Sequence, residues 1–188
     1  GKHPFPDALE YGLSIALQRH GSLDEAEAII QRLMQSHPSK MAYQIQQAEI
    51  DMDQGEADSA LARLQRLNYQ FPGNTAVTLH YSEALLSTDD PENALLAGDL
   101  LKQYLVNIGG HPRIYEQYAR AADQAGDEIK ASEAIAESYY LKGEIGSAIY
   151  QLEKLSKRDD LDYYQRARIS SRLSQMKVEL AQYLRQQS

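Results

Sequence analysis

Gly21-Ser22-Leu23-Asp24-Glu25-Ala26, followed by Pro38, decides the reading of this chain. Gly21, Ala26 and Pro38 return as Gly55, Ala60 and Pro72, each 34 residues on. The three residue types have separate jobs in a helical repeat. Glycine ends a helix by adopting the left-handed conformation there. Alanine leaves room for two helices to approach to about 8–10 Å. Proline stops the second helix and opens the next. A fixed period between about 20 and 50 residues marks a stack of helical or sheet units, none of which buries its apolar face alone.

The pattern resembles the tetratricopeptide repeat, whose period is about 34 residues. The expected fold is all-α: a right-handed superhelical solenoid of about ten helices in four to five repeats, with a long C-terminal capping helix. Repeats are placed at about 7–40, 41–74, 75–111 and 112–143, then helices at 144–157 and 161–185, in one solenoid over 7–188. Residues 1–6 read as an extended leader or a cloning scar. In the first helix Leu9, Leu13, Ala16 and Leu17 form the expected inner face. Ala48, Ala60, Ser82, Ala94, Ala119, Ala131, Ala136 and Ala148 are the expected points of close helix contact. In Thr88-Asp89-Asp90-Pro91-Glu92, Asp89 stands where the first two repeats have glycine. Ile169, Leu173, Met176, Leu180 and Leu184 make a single apolar stripe on the last helix, suited to closing a stack.

The composition is that of a soluble globular protein, with 43% apolar and 24% charged residues. A net charge of −8 argues against nucleic acid as a partner. The charge is uneven. Residues 163–188 hold five basic side chains against Glu179, so an acidic body ends in a basic helix. The lack of cysteine removes disulfides and thiol chemistry. No run of about 18 apolar residues is present to span a membrane. No signal peptide is evident, and the chain is expected to be a piece of a longer protein.

Little of the titratable chemistry converges. The histidines are His3, His20, His37, His80 and His111; no two are four residues apart and no H-E-x-x-H occurs. His20, His37 and His111 fall at expected helix ends, where a cation suits the dipole. The carboxylates gather at turns and first helical turns, where they cap. Asp51-x-Asp53-x-Gly55 is similar to the start of a calcium loop but has Ala62 where the closing glutamate belongs. No catalytic residue, metal site or cofactor is expected in this chain, and it reads as non-enzymatic. Of thirteen tyrosines, Tyr43, Tyr69, Tyr115, Tyr118 and Tyr150 fit core positions; others are free to face a groove.

In a tetratricopeptide stack the first helix of each pair lines the concave side. By position this gives Tyr11, Ile15 and Gln18, then Ile45, Glu49 and Met52, then Leu79, Glu83 and Leu86, then Arg113, Glu116, Arg120 and Asp123. The alternative is that several of these only pack on neighbouring helices. The Lys/Asn pairs with which some relatives clamp a terminal carboxylate are replaced by Tyr11/Ile15 and Ile45/Glu49. An apolar groove of this kind suits an extended or helical peptide segment, or a helix of the parent chain. Arg166, Arg168, Arg172 and Lys177 form either a basic docking face for an acidic patch or anionic lipid, or an ordinary solvated face.

Two stretches carry a narrower resemblance. One is Pro4-Phe5-Pro6-Asp7 with Glu10-Tyr11-Gly12-Leu13. The other runs from Tyr140-Leu141-Lys142-Gly143-Glu144 through Ala148–Glu153 to Asp162–Ile169. Together they resemble the C-terminal tetratricopeptide region of bacterial zinc metallopeptidases of the beta-barrel assembly-enhancing protease type. The resemblance implies a periplasmic module that docks outer-membrane protein assembly machinery, its misassembled clients or its own protease domain, in protein quality control. Zinc is then expected only in a catalytic domain outside this sequence. The other reading is a freestanding tetratricopeptide scaffold or lipoprotein of cell-envelope or pilus assembly.

Overall fold

A computed structural model describes residues 6–186. Among these residues there are ten α-helices and no strand: α1 (Pro6–His20), α2 (Leu23–Ser36), α3 (Met41–Asp53), α4 (Ala57–Gln70), α5 (Thr75–Leu86), α6 (Pro91–Asn107), α7 (Pro112–Gln124), α8 (Glu128–Leu141), α9 (Ile145–Ser156) and α10 (Tyr163–Gln186). Pro6 opens α1, and the rest of the expected leader lies outside the described residues. The sequence was read as one solenoid; its packing resolves into two compact units, Gly1–Thr88 and Asp89–Ser188.

In the first unit each helix packs on the next, and α3 also touches both α1 and α5. Helices α1, α3 and α5 therefore share a layer, with α2 and α4 behind it. Ala26, Ile30, Leu33, Tyr43 and Ile50 form a core cluster. The small residues sit where helices cross: Ala26, Ala48, Ala60 and Ser82 are all fully enclosed. Glycine works as expected at the turns. Gly55 has φ +82°, which lets the Glu56 N–H reach back to the Asp51 carbonyl at 2.7 Å.

Asp51 is not a metal ligand in waiting. It is buried, and accepts hydrogen bonds from Gln47 Nε2 at 2.7 Å and Ser59 Oγ at 3.3 Å, with Arg63 Nε at 3.5 Å. Its charge is spent tying α3 to α4.

The expected inner face of α1 is displaced. Leu9 and Leu13 are 55% and 51% exposed, and Ala16 is exposed too. The enclosed position is Ser14, whose hydroxyl donates to the Ala26 carbonyl at 3.0 Å. The contact point of α1 on α2 needs a small residue with no unpaired polar atom, and Ser14 meets both demands. Tyr11 and Leu17 flank it, packed on the core.

In the second unit α6 to α10 again pack in succession. Ala136, Ala148, Leu152, Leu155, Leu161, Ile169 and Met176 form its core cluster. The stripe of α10 is buried at Ile169 and Met176, and exposed at Leu184. Helix α10 has 24 residues against 12 in α9, so its last turns outrun the helix it covers.

Three other expectations change. Tyr43 is core, but Tyr69 and Tyr150 are 88% and 69% exposed, and Tyr115 and Tyr118 are half-buried. His37 caps the C-terminal end of α2, its Nε2 3.1 Å from Asp7 Oδ2. His111 instead precedes α7 as its N-cap, the end where the dipole disfavours a cation.

Candidate functional site: a groove on the first unit

The shared layer of α1, α3 and α5 carries a cleft of about 560 Å³. Its lining follows from the 34-residue register. Each column of the repeat places one side chain from each helix on the same face, one layer apart. Tyr11, Ile15 and Gln18 come from α1, Ile45, Glu49 and Met52 from α3, and Glu83 from α5. These are seven of the nine positions carried over for the first three repeats. Leu79 and Leu86 do not reach the cleft; Leu86 is only 1% exposed. Most of α5 is buried, Val77, Leu79, Tyr81, Leu85 and Leu86 included, so the expected groove-facing leucines there belong to the core.

Polar side chains hold the wall together. Gln46 Nε2 donates to Gln18 Oε1 at 2.7 Å, and Gln18 Nε2 donates to Asp53 Oδ2 at 2.7 Å. This chain joins α1 to α3. His80 Nδ1 lies 2.9 Å from Glu49 Oε1 and joins α3 to α5. Tyr11 packs on Tyr43 with ring centroids 5.4 Å apart. Burial, then the nearby Glu49 carboxylate, pushes the Tyr11 hydroxyl above its ordinary pKa, so it stays protonated as a donor.

Position-by-position transfer missed Arg19, Asp53 and His80, which also line the cleft. The signal existed. Arg19, Asp53 and Ser87 are spaced by 34, as are Gln46 and His80, so two further columns of the repeat face the groove.

The four positions expected in the fourth repeat are not gathered into one cavity of the second unit. Arg113 is exposed, and Arg120 Nη1 lies 3.3 Å from Gln117 Oε1. Glu116 is engaged by Lys142 Nζ and by Ser138 Oγ. The Lys142 ammonium, with help from Ser138, holds its carboxyl below the usual range despite the opposing effect of burial. Asp123 lines a separate cleft of about 380 Å³ with Glu128, Lys154 and Arg158.

The basic face of α10 is committed internally. Arg168 forms a two-pronged pair with Glu133, and Arg172 another with Glu137. Lys177 Nζ lies 2.6 Å from Glu153 Oε1, and Arg166 Nη2 donates to the Arg158 carbonyl at 3.3 Å. These cations bind α10 to its own unit, which corrects the reading of a free docking face.

Among the described residues no three His, Cys, Asp or Glu side chains converge to hold a metal ion. The described residues therefore do not fit a zinc ion. No described helix is long and apolar enough to cross a membrane.

Helix pairs of this kind, in this register, define a tetratricopeptide-repeat protein, an all-α fold of the protein-interaction class. Solved structures agree. A tetratricopeptide-repeat protein of Thermus thermophilus, TTC0263, superposes with a TM-score of 0.57 at 19% identity, over 88% of this chain and 97% of that one. MamA of Desulfovibrio magneticus RS-1 gives 0.60 at 17% identity, over 92% and 96%. No family model matches the chain.

The narrower resemblance also holds. The chain is similar to the beta-barrel assembly-enhancing protease of Escherichia coli K12, with 26% identity over 170 residues, or 90% of this chain. It spans about a third (34%) of the length of that relative.

Proposed function

We propose that this chain is a non-catalytic interaction module, the tetratricopeptide part of a periplasmic zinc metallopeptidase. Its first-unit groove docks outer-membrane protein assembly machinery, misassembled clients of that machinery, or a segment of its own protease domain. The observation that carries the reading is the groove itself: an apolar floor of Ile15, Ile45 and Met52 under a rim of hydrogen-bonding side chains. Apolar floors supply affinity and polar rims supply register when a polypeptide segment lies in such a groove. The similarity to the Escherichia coli protease over 90% of this chain supports the assignment of partner class.

The test is recovery of identified partners. The folded chain is immobilised and exposed to envelope extract, beside a Met52→Arg variant whose far-UV dichroism matches. Outer-membrane assembly components are expected with the unsubstituted chain and lost with the variant. Repeated failure with folded protein, or equal recovery by the variant, would overturn the reading.

A second reading is a freestanding scaffold or lipoprotein of envelope or pilus assembly. It is favoured by the coverage of the Thermus and Desulfovibrio chains over 97% and 96% of their lengths. The coding sequence upstream of Gly1 separates the two: an H-E-x-x-H motif supports the peptidase, a lipobox the scaffold.

A further inference from the structure

We infer that the groove of α1, α3 and α5 takes an extended polypeptide segment bearing two basic side chains three residues apart, with apolar side chains between them. The inference rests on the reading of this groove as a polypeptide site and narrows what it accepts.

Charge sets the sign. Glu49, Asp53 and Glu83 line the cleft against Arg19, which leaves it at −2 with His80 neutral. The hydrogen bond from Gln18 to Asp53 comes from an amide and does not cancel that charge. His80 engages Oε1 of Glu49 and leaves the second carboxylate oxygen for a cation. The rest of the chain adds to the field, since its net charge is −8. An acidic segment would be repelled from this wall and a basic one drawn to it.

Register sets the spacing. Glu49 and Glu83 occupy the same column of the repeat, 34 residues apart, on α3 and α5, which are in contact. Packed helices lie about 8–10 Å apart, so the two carboxylates recur at about that interval across the groove. An extended chain advances about 3.3 Å per residue. Three residues cover about 10 Å, so cations at i and i+3 meet both carboxylates in turn. Asp53 stands one helical turn from Glu49 on the same face and widens the acidic wall. The floor beneath is Ile15, Ile45 and Met52, which suits apolar side chains at the intervening positions.

The experiment uses the full chain and short labelled probe peptides. One carries two lysines three apart among leucine and valine. A second has glutamine for lysine, a third glutamate, and a fourth has the two lysines adjacent. Affinity is read by fluorescence anisotropy at low and physiological ionic strength, and the site by amide NMR shifts. The three-apart lysine peptide is expected to bind about ten-fold more tightly than the glutamine peptide, with shifts at Ile15, Ile45 and Met52. The preference is expected to weaken with salt and to vanish in a Glu49→Gln/Glu83→Gln variant. Equal binding of lysine and glutamine peptides at the groove would overturn the charge inference and leave the groove reading standing. Equal binding of the adjacent-lysine peptide would overturn the spacing. Preference for the glutamate peptide would overturn the sign. No shifts at the groove with any peptide would overturn both the inference and the reading under it.

Discussion

Glu137 and Arg172 are 35 residues apart in sequence and meet in a two-pronged ion pair, Nε to Oε1 at 2.6 Å and Nη2 to Oε2 at 2.7 Å. Glu133 and Arg168 repeat the arrangement one turn earlier, both distances being 2.8 Å. Each partner is four residues from its twin, so α8 and α10 run in the same direction with matched faces. The split between an acidic body and a basic last helix is thus explained within the fold. Helix α10 brings the countercharge for α8 and, through Lys177 and Glu153, for α9.

The two pairs differ in worth because they differ in exposure. The Arg172 side chain is 24% exposed and also lies over the Tyr140 ring at 4.4 Å, whereas Arg168 is 58% exposed. Arg172→Met is expected to cost about 1–2 kcal/mol and Arg168→Met about 0.5 kcal/mol or less. A double-mutant cycle on Arg172 and Glu137, read by urea unfolding, checks the first figure. Coupling near zero there would show that apolar packing alone retains α10.

Backbone conformation at the turns supplies a pair of opposite effects. Gly55 and Asp89 hold the same place in successive repeats, with φ +82° and +53°. Nothing lies within 4 Å of a Cβ built on Gly55, so Gly55→Ala meets only the conformational penalty, about 1–2 kcal/mol. Asp89→Gly relieves the same penalty and is expected to stabilise by about 0.5–1 kcal/mol. Urea midpoints should move in opposite directions.

Acid should loosen the second unit at Glu116. Its carboxyl is held below its ordinary value of 4.5, first by Lys142 and then by Ser138, with burial opposing them. A depressed carboxylate pKa adds stability that is complete above the unfolded value and lost as pH falls through the folded one. Stability from this group should therefore be constant above about pH 5 and decline below about 4.5. Glu116→Gln should flatten that decline in urea titrations between those conditions, and an unchanged slope would remove Glu116 as its source.

What could be read from the sequence were the features set by local terms. Gly21, Gly55, Asp89 and Ala60 announce turns and crossings because one residue type alone satisfies the backbone or the contact. The groove columns at Tyr11, Ile15, Gln18, Ile45, Glu49, Met52 and Glu83 followed from the same period. The face of α1 did not, because Leu9 and Leu13 repeat at a helical interval just as a buried stripe would, while the enclosed Ser14 looks polar. The pairing of α10 was hidden for another reason. A cation four residues from another cation reads alike whether its partner is solvent or a glutamate 35 residues away. Tyr69 and Tyr150 failed because a tyrosine at a plausible helical position carries no mark of which way its helix faces.

The most direct test of polypeptide capture by the first unit is site-specific photocrosslinking in cells, with a photoreactive amino acid in place of Met52 in the groove or of the exposed Tyr69 on α4. Adducts to defined polypeptides are expected from position 52 and not from position 69, and competition with the lysine probe should diminish them. Adducts of equal yield from both positions, or none from position 52 with the chain folded, would contradict the account.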